Sequence, residues 1–216
     1  MSDSDSLLES LPPARRLALA YAPAAARLPL LAFLALDVRL AGIVRNSHEP
    51  MLAQLRLAWW REQLQRDGGA WPEGEPLLAA LRSWDGRHGA LAPLVDAWEG
   101  MTGAPPLDPA VFEALAQARG GAFATLADTR AAEALRLGRN WALADLAARL
   151  SHPEETAAAL TLARAADWRA ARLPAALRPL AVLHGLAARA LRRGGNLDRI
   201  APLDLLAALR IGLLGR

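Results

Sequence analysis

"LRLAWWREQL", residues 55–64, sets two of the chain's seven tryptophans side by side. On a helix advancing about 100° per residue, neighbours in sequence cannot share a face. Leu52, Leu55 and Trp59 fall on one side of such a wheel. Ala53, Leu57, Trp60 and Leu64 fall on nearly the opposite side. Gln54, Arg61 and Gln65 fill one gap between them, and Arg56 and Gln63, seven residues apart and so one above the other, fill the second. A helix apolar on two faces packs against neighbours on both. The stretch therefore predicts an interior helix of a multi-helix bundle, with Arg56 and Gln63 projecting into a seam between helices.

The composition agrees with a helical fold. Of the 216 residues 53% are apolar, and most of these are alanine and leucine. Both are strong helix formers, whereas the β-branched and aromatic residues that favour strands are scarce. We expect an all-α chain forming one domain over residues 1–216, with residues 1–10 as a flexible tail. The absence of cysteine excludes disulfides and thiolate metal sites. All 25 basic residues are arginine, nearly balanced by 22 acids for a formal net charge of +3. The densest basic groups, Arg192–Arg193 and Arg164–Arg169–Arg172, are too thin for a nucleic-acid interface, so no nucleic-acid partner is expected.

The N-terminal "MSDSDSLLES" is acidic and polar, unlike a secretory or transit segment. The most apolar run, residues 28–44, carries Asp37 and Arg39 at its middle. Each would cost roughly 2.5–3.5 kcal/mol at the centre of a membrane span, so a buried core helix is expected. The chain reads as cytoplasmic, with peripheral contact at the inner membrane as its closest approach to a bilayer.

Prolines and glycines divide the sequence into about nine helices. Pro12–Pro13 start one ending near Tyr21, Pro29 opens the apolar helix to about Val44, and Pro50 opens the tryptophan helix to about Arg66. Residues 67–76 read as a loop, followed by shorter helices at roughly 76–84 and 90–101. Asp108–Pro109, an N-cap acceptor followed by proline at the first helical position, begins a helical stretch to about Leu150 with an interruption near Gly120–Gly121. Another helix runs over residues 153–172. Pro174 begins one ending at Gly194–Gly195, and Pro202 opens an amphipathic last one.

Asp37 shares its face with Leu30, Phe33, Ala41 and Val44, so its carboxylate must be paired or open to a pocket. Arg56 is the nearest candidate partner in sequence. Asp37, Arg56, Trp60 and Gln63 are accordingly the pocket candidates, with core packing as the competing role for the tryptophans. His48, His88, His152 and His184 lack metal-ligand spacing and fit loop, capping or core positions. Arg164, Asp167, Arg169 and Arg172 read as a charged helix face. No GxSxG elbow or phosphate-cradling glycine loop is present.

These segments resemble the squalene/phytoene synthase family. Residues 21–64 are similar to the N-terminal part of its divergent branch, which includes a mitochondrial respiratory complex I assembly factor. There a "pLLALFAFN"-like helix leads through a "SEP" turn into "RLQWWRDAL"; here these are Leu30–Asp37, His48–Glu49–Pro50 and Arg56–Leu64. "GGAFATLADTRAAEALRLGRNWALADLAARL", residues 120–150, resembles the helix pair containing "GRAWGLA". "LPAALRPLAVLHGLAARALRRGG", residues 173–195, resembles its C-terminal "LPPALRP" segment. The resemblance implies the all-α isoprenoid synthase bundle, shortened here between Leu150 and Pro174.

Active members condense two prenyl diphosphates, using two aspartate-rich motifs on facing helices to hold magnesium. The first would fall near positions 40–44, which read LAGIV, and the second near 144–149, which read ADLAAR. Asp37 and Asp145 are lone acids. Asp5 with Glu9, and Asp96 with Glu99, are the only suitably spaced acid pairs. Tyr21 is the only tyrosine. The departures imply a member without catalysis, needing neither metal nor cofactor, that serves as an assembly or scaffolding factor with a protein partner in respiratory-complex assembly. The alternatives are a prenyl diphosphate transferase using magnesium, or a non-catalytic binder of an isoprenoid or lipid.

Overall fold

The structure, a computed structural model, describes residues 3–47, 49–194 and 201–214. Among them there are eleven α-helices, four short 3-10 turns and no strand. Residues 3–10, expected as a tail, form α1 (Asp3–Ser10), whose Leu7 is buried and which packs on α3 and α5. α2 (Pro13–Leu19) starts with proline at its first position, where the missing N–H goes unneeded.

α3 (Ala24–Asn46) begins five residues before the expected start, leaving Pro29 inside it. Pro29 has no N–H for the preceding turn, and its own carbonyl oxygen accepts the Trp84 indole N–H at 3.0 Å. From Leu30 to Asp37 every α3 residue is buried, as its apolar pattern requires.

α4 (Pro50–Gln65) corrects the opening expectation. Ala53, Leu57, Trp60 and Leu64 are buried, but the opposite stripe is not. Trp59 is 38% exposed against 3% for Trp60, and Met51, Leu52 and Leu55 are exposed with it. The helix lies on the surface and packs on one face only. Both faces carry apolar residues, and a helical wheel cannot tell which of the two finds a neighbour. The "HEP" turn begins at His48, which lies outside the described residues.

α5 (Pro76–Leu81) and α6 (Ala92–Gly100) follow. α7 (Pro109–Thr125) opens with the Asp108 carboxylate accepting the Ala110 N–H at 2.8 Å. It runs unbroken through Gly120–Gly121, and the interruption falls instead after Thr125, before α8 (Ala131–Ala147). Gly120 and Gly138 are where these two helices touch backbone to backbone. A Cβ on Gly120 would sit 2.5 Å from the Leu135 carbonyl oxygen, and one on Gly138 would sit 2.9 Å from the Gly120 Cα.

α9 (Pro153–Ala165) stops seven residues short of its expected end. The Trp168 indole turns back to donate to the Ala163 carbonyl at 2.7 Å, and Asp167 accepts the Arg169 N–H at 3.1 Å. Arg136 holds the Asp167 and Arg169 carbonyls at 2.7 and 2.9 Å. Residues 166–174 are therefore pinned in non-helical form, and Asp167, Arg169 and Arg172 are not a helix face. After a 3-10 turn at Ala175–Leu177 come α10 (Arg178–Arg193) and α11 (Pro202–Leu214).

Two groups of helices result. α3 gathers α1, α4, α5 and α6, and α8 gathers α7, α9 and α10. α6 on α7, and α2 lying against both α3 and α10, join the two groups. No helix among the described residues is long and apolar enough to cross a membrane.

Candidate functional site

Where the two groups meet, two acids and two arginines close into a ring. Asp37 of α3 and Asp145 of α8 are both buried, as are Arg15 of α2 and Arg119 of α7. Arg15 Nη1 donates to Asp37 Oδ2 at 2.6 Å and its Nη2 to Asp145 Oδ2 at 2.9 Å. Arg119 Nε donates to Asp37 Oδ1 at 2.9 Å and its Nη1 to Asp145 Oδ2 at 3.2 Å. Each guanidinium bridges both carboxylates. The Trp98 indole adds a bond to Asp37 Oδ1 at 2.9 Å, and Arg149 Nε one to Asp145 Oδ1 at 3.0 Å.

Aromatic rings enclose the charges. Arg15 lies over Trp141 at 5.0 Å, and Arg119 lies over Trp98 at 5.3 Å and Trp141 at 5.5 Å. Cation–π attraction at a desolvated site is worth about 2 kcal/mol, which favours guanidinium over ammonium here.

Burial works against every charge in the ring, yet the ions hold one another in place. Burial alone would raise the Asp37 carboxyl, but the cations of Arg119 and Arg15 outweigh it and keep it below the ordinary carboxylate range. Asp145 is held well below that range in the same way, by Arg15, Arg119 and Arg149 against its own burial. Burial pulls the Arg15 guanidinium down, but Asp145 and Asp37 together leave it raised. Asp37, Asp145 and Arg15 therefore stay ionised at neutral pH, and the ring pairs two carboxylates with two guanidiniums.

The two acids are those that fall at or one turn before the expected aspartate-rich positions, and they do converge from two helices. Their donor set does not suit magnesium, which needs free oxygen ligands in a near-octahedral arrangement. All four carboxylate oxygens already accept hydrogen bonds, so a dication would have to displace two buried guanidiniums. Among the described residues no group of three or more His, Asp or Glu could hold a metal ion.

The pocket candidates do not come together. Asp37 is in the ring, but its partners are Arg15 and Arg119, and Arg56 is exposed on α4. Arg56 and Gln63 do not share a seam, because Arg56 is exposed while Gln63, two turns further on, is buried. Gln63 is buried; its carbonyl oxygen accepts the Trp71 indole N–H at 2.6 Å, while its side-chain oxygen lacks a partner. Trp60 packs in the core with Arg39 over its ring at 5.9 Å. The Asp96–Glu99 pair is tied to Arg61, whose Nε reaches Asp96 Oδ1 at 2.6 Å and whose Nη2 reaches Glu99.

Arg119 carried a signal in the sequence. Phe112, Leu115, Ala116, Ala122 and Phe123 surround it on the buried face of α7, the same apolar setting that marked Asp37. Opposite charges embedded in two apolar faces are candidates for each other, whatever their distance along the chain.

The histidines among the described residues take core and capping places. His88 Nε2 lies 2.9 Å from the Arg66 carbonyl oxygen, its ring against Trp71 at 4.6 Å. His152 stands at the N-cap of α9. His184 of α10 stacks on Trp168 at 4.9 Å, and burial, then the nearby Arg136 cation, pushes it down to about 4 despite the opposing Asp167. The unfolded chain takes up that proton near 6.5, so the contribution of a neutral His184 is complete above about pH 6.5 and is lost as pH falls towards 4. Stability should drop by on the order of 3 kcal/mol across this interval. His184→Phe should flatten that part of a urea-denaturation pH series; an unchanged slope would show an ordinary histidine.

Among known proteins, the family model described as squalene/phytoene synthase matches residues 14–103. This supports that family for the stretch from α2 through α6, which carries Arg15, Asp37 and Trp98. No curated protein and no solved structure matches the chain.

Proposed function

We propose that this squalene/phytoene synthase-like chain has exchanged catalysis for binding, and serves as an assembly or scaffolding factor with a respiratory complex as its client. The observation that carries the loss of catalysis is the closed Arg15–Asp37–Arg119–Asp145 ring. Active members of the family would there present carboxylates able to hold magnesium and a diphosphate. Here arginines from the chain itself neutralise the carboxylates, and a diphosphate would meet no uncompensated cation.

Support for a protein client comes from α4, whose Met51, Leu52, Leu55 and Trp59 form a continuous apolar stripe open to the surroundings. A contiguous exposed apolar patch marks an interaction site, and tryptophan is among the residues enriched at the energetic centre of interfaces. The respiratory client itself follows from the resemblance of residues 21–64 to the branch containing a complex I assembly factor.

The test is incubation with farnesyl and geranylgeranyl diphosphate plus magnesium, following diphosphate release and hydrocarbon product. We expect neither, and we expect respiratory subunits to co-purify with the intact chain but not with a Leu55→Asp/Trp59→Asp variant. Turnover abolished by Asp37→Ala would overturn the reading in favour of a prenyltransferase.

A further inference from the structure

A cleft of about 510 Å³ lies between α10, α11 and the Trp168–Ala170 segment, within the size range of small-molecule sites. None of its lining residues belongs to the Asp37–Asp145 ring. Trp168, Gly185, Ala188, Leu203, Leu206 and Ala207 make its walls apolar. Leu203 and Leu206 are more than 60% exposed, a large apolar area for two neighbouring side chains to leave in water. Gly185 lets α11 approach this closely, since a Cβ there would meet Ile211 Cδ1 at 2.4 Å.

The polar groups of the cleft are all cationic or neutral. Arg189 is committed to Asp204 at 3.1 Å, and Arg193, outside the cleft, binds the same carboxylate at 2.7 Å. Arg192 and Arg210 also line the cleft and make no ion pair among the described residues. On the wall, His184 is buried with its Nε2 lacking a hydrogen-bond partner. Asp167, the nearest acid on the Trp168 side, is occupied by Arg169 at 3.0 Å and Arg136 at 3.6 Å. Among the described residues the cleft thus combines apolar walls, two guanidiniums without an ion pair and no lining acid.

We propose that this cleft binds an amphiphile whose apolar chain lies against Trp168, Ala188, Leu203 and Leu206 and whose phosphate head is held by Arg192 and Arg210. Two arginines match a dianionic phosphate better than a monoanionic carboxylate, because each guanidinium can offer a phosphate a forked pair of donors. The chain covers the exposed leucines. The site is independent of any reading of the ring, since it shares no residue with it.

The test is calorimetric titration of the full chain with dodecyl phosphate below its micelle concentration. Inorganic phosphate and dodecyl maltoside are titrated in parallel. Dodecyl phosphate should bind one to one with Kd on the order of 10 μM. Both controls should bind at least about tenfold more weakly, because each lacks one half of the recognition.

Arg192→Glu/Arg210→Glu, a surface change, should weaken dodecyl phosphate by about tenfold or more. Ala207→Trp, which fills the cleft, should abolish binding while the circular dichroism melt shows a folded protein. Equal binding of inorganic phosphate, equal binding of the maltoside, no binding at all, or indifference to the arginine reversal would each overturn the proposal. Binding seen only with vesicles of anionic phosphatidylglycerol, and never with the monomer, would also overturn it, in favour of a membrane surface.

Discussion

Replacing Arg119 with methionine is expected to destabilise the fold by about 3–5 kcal/mol, the cost of leaving a buried charge without its partner. The loss is large because Arg119 serves two acids. Asp37 would retain only Arg15 and the Trp98 indole, and the buried ring would pass from neutral to a net negative charge. Urea denaturation at pH 7 measures the change, and a loss below about 1 kcal/mol would mean that water or a rearranged Arg149 takes over.

The ring also predicts strong non-additivity. Converting all four members to apolar residues, as Arg15→Met, Asp37→Leu, Arg119→Met and Asp145→Leu, removes every desolvation cost together. The quadruple variant is therefore expected to be more stable than Arg119→Met alone. A ring present for stability alone would give the opposite order.

The second large effect falls one residue further along α7. Gly120→Val should cost at least about 3 kcal/mol, because its Cβ would be driven into backbone that cannot rotate away. The Leu135 carbonyl oxygen at 2.5 Å and the Arg139 nitrogen at 3.0 Å belong to the main chain of α8. Only separation of the two helices would relieve the clash, and that would loosen the Phe123–Trp141 contact at 5.8 Å.

Gly121 supplies the control. A Cβ there meets nothing within 4 Å, so Gly121→Ala should gain about 0.5–1 kcal/mol from helix propensity alone. Thermal melts of the two variants should move in opposite directions. Destabilisation by both would show that the local backbone, and not the helix contact, selects glycine.

Helices were legible in the sequence wherever proline and apolar periodicity acted together. Pro50 and Asp108–Pro109 mark starts that the structure keeps. Pro29 misled because it sits in the second turn of α3, where its missing N–H forfeits one bond to the preceding turn without ending the helix, and the alanines before it extend the helix backwards. The end of α9 was hidden because its terminator is tertiary. Arg136, one helix away in sequence, captures the carbonyls of Asp167 and Arg169 and stops a segment whose own propensity is helical.

The site was half legible. Asp37 announced itself as a charge on an apolar face, but proximity in sequence suggested Arg56, which faces outward. The true partners stand 22 and 82 residues away, and a one-dimensional reading gives no weight to such distances. The exposure of the Trp59 stripe was illegible for a complementary reason. Periodicity reports that a face is apolar, and it is silent on whether this chain or another molecule covers it.

The ring also bears on the order in which the chain is made. Arg15 and Asp37 leave the ribosome early and can meet each other as soon as α2 and α3 exist. Arg119 follows 82 residues after Asp37, and Asp145 a further 26 after that. Until then the nascent N-terminal half carries apolar helices around a salt bridge that only the Trp98 indole supplements. The ring therefore closes only once α8 has emerged, and a product truncated before α8 would lack the carboxylate that neutralises its second arginine. Such fragments should be poor at folding and readily cleared by proteases, so the ring separates chains that include α8 from those that stop short of it.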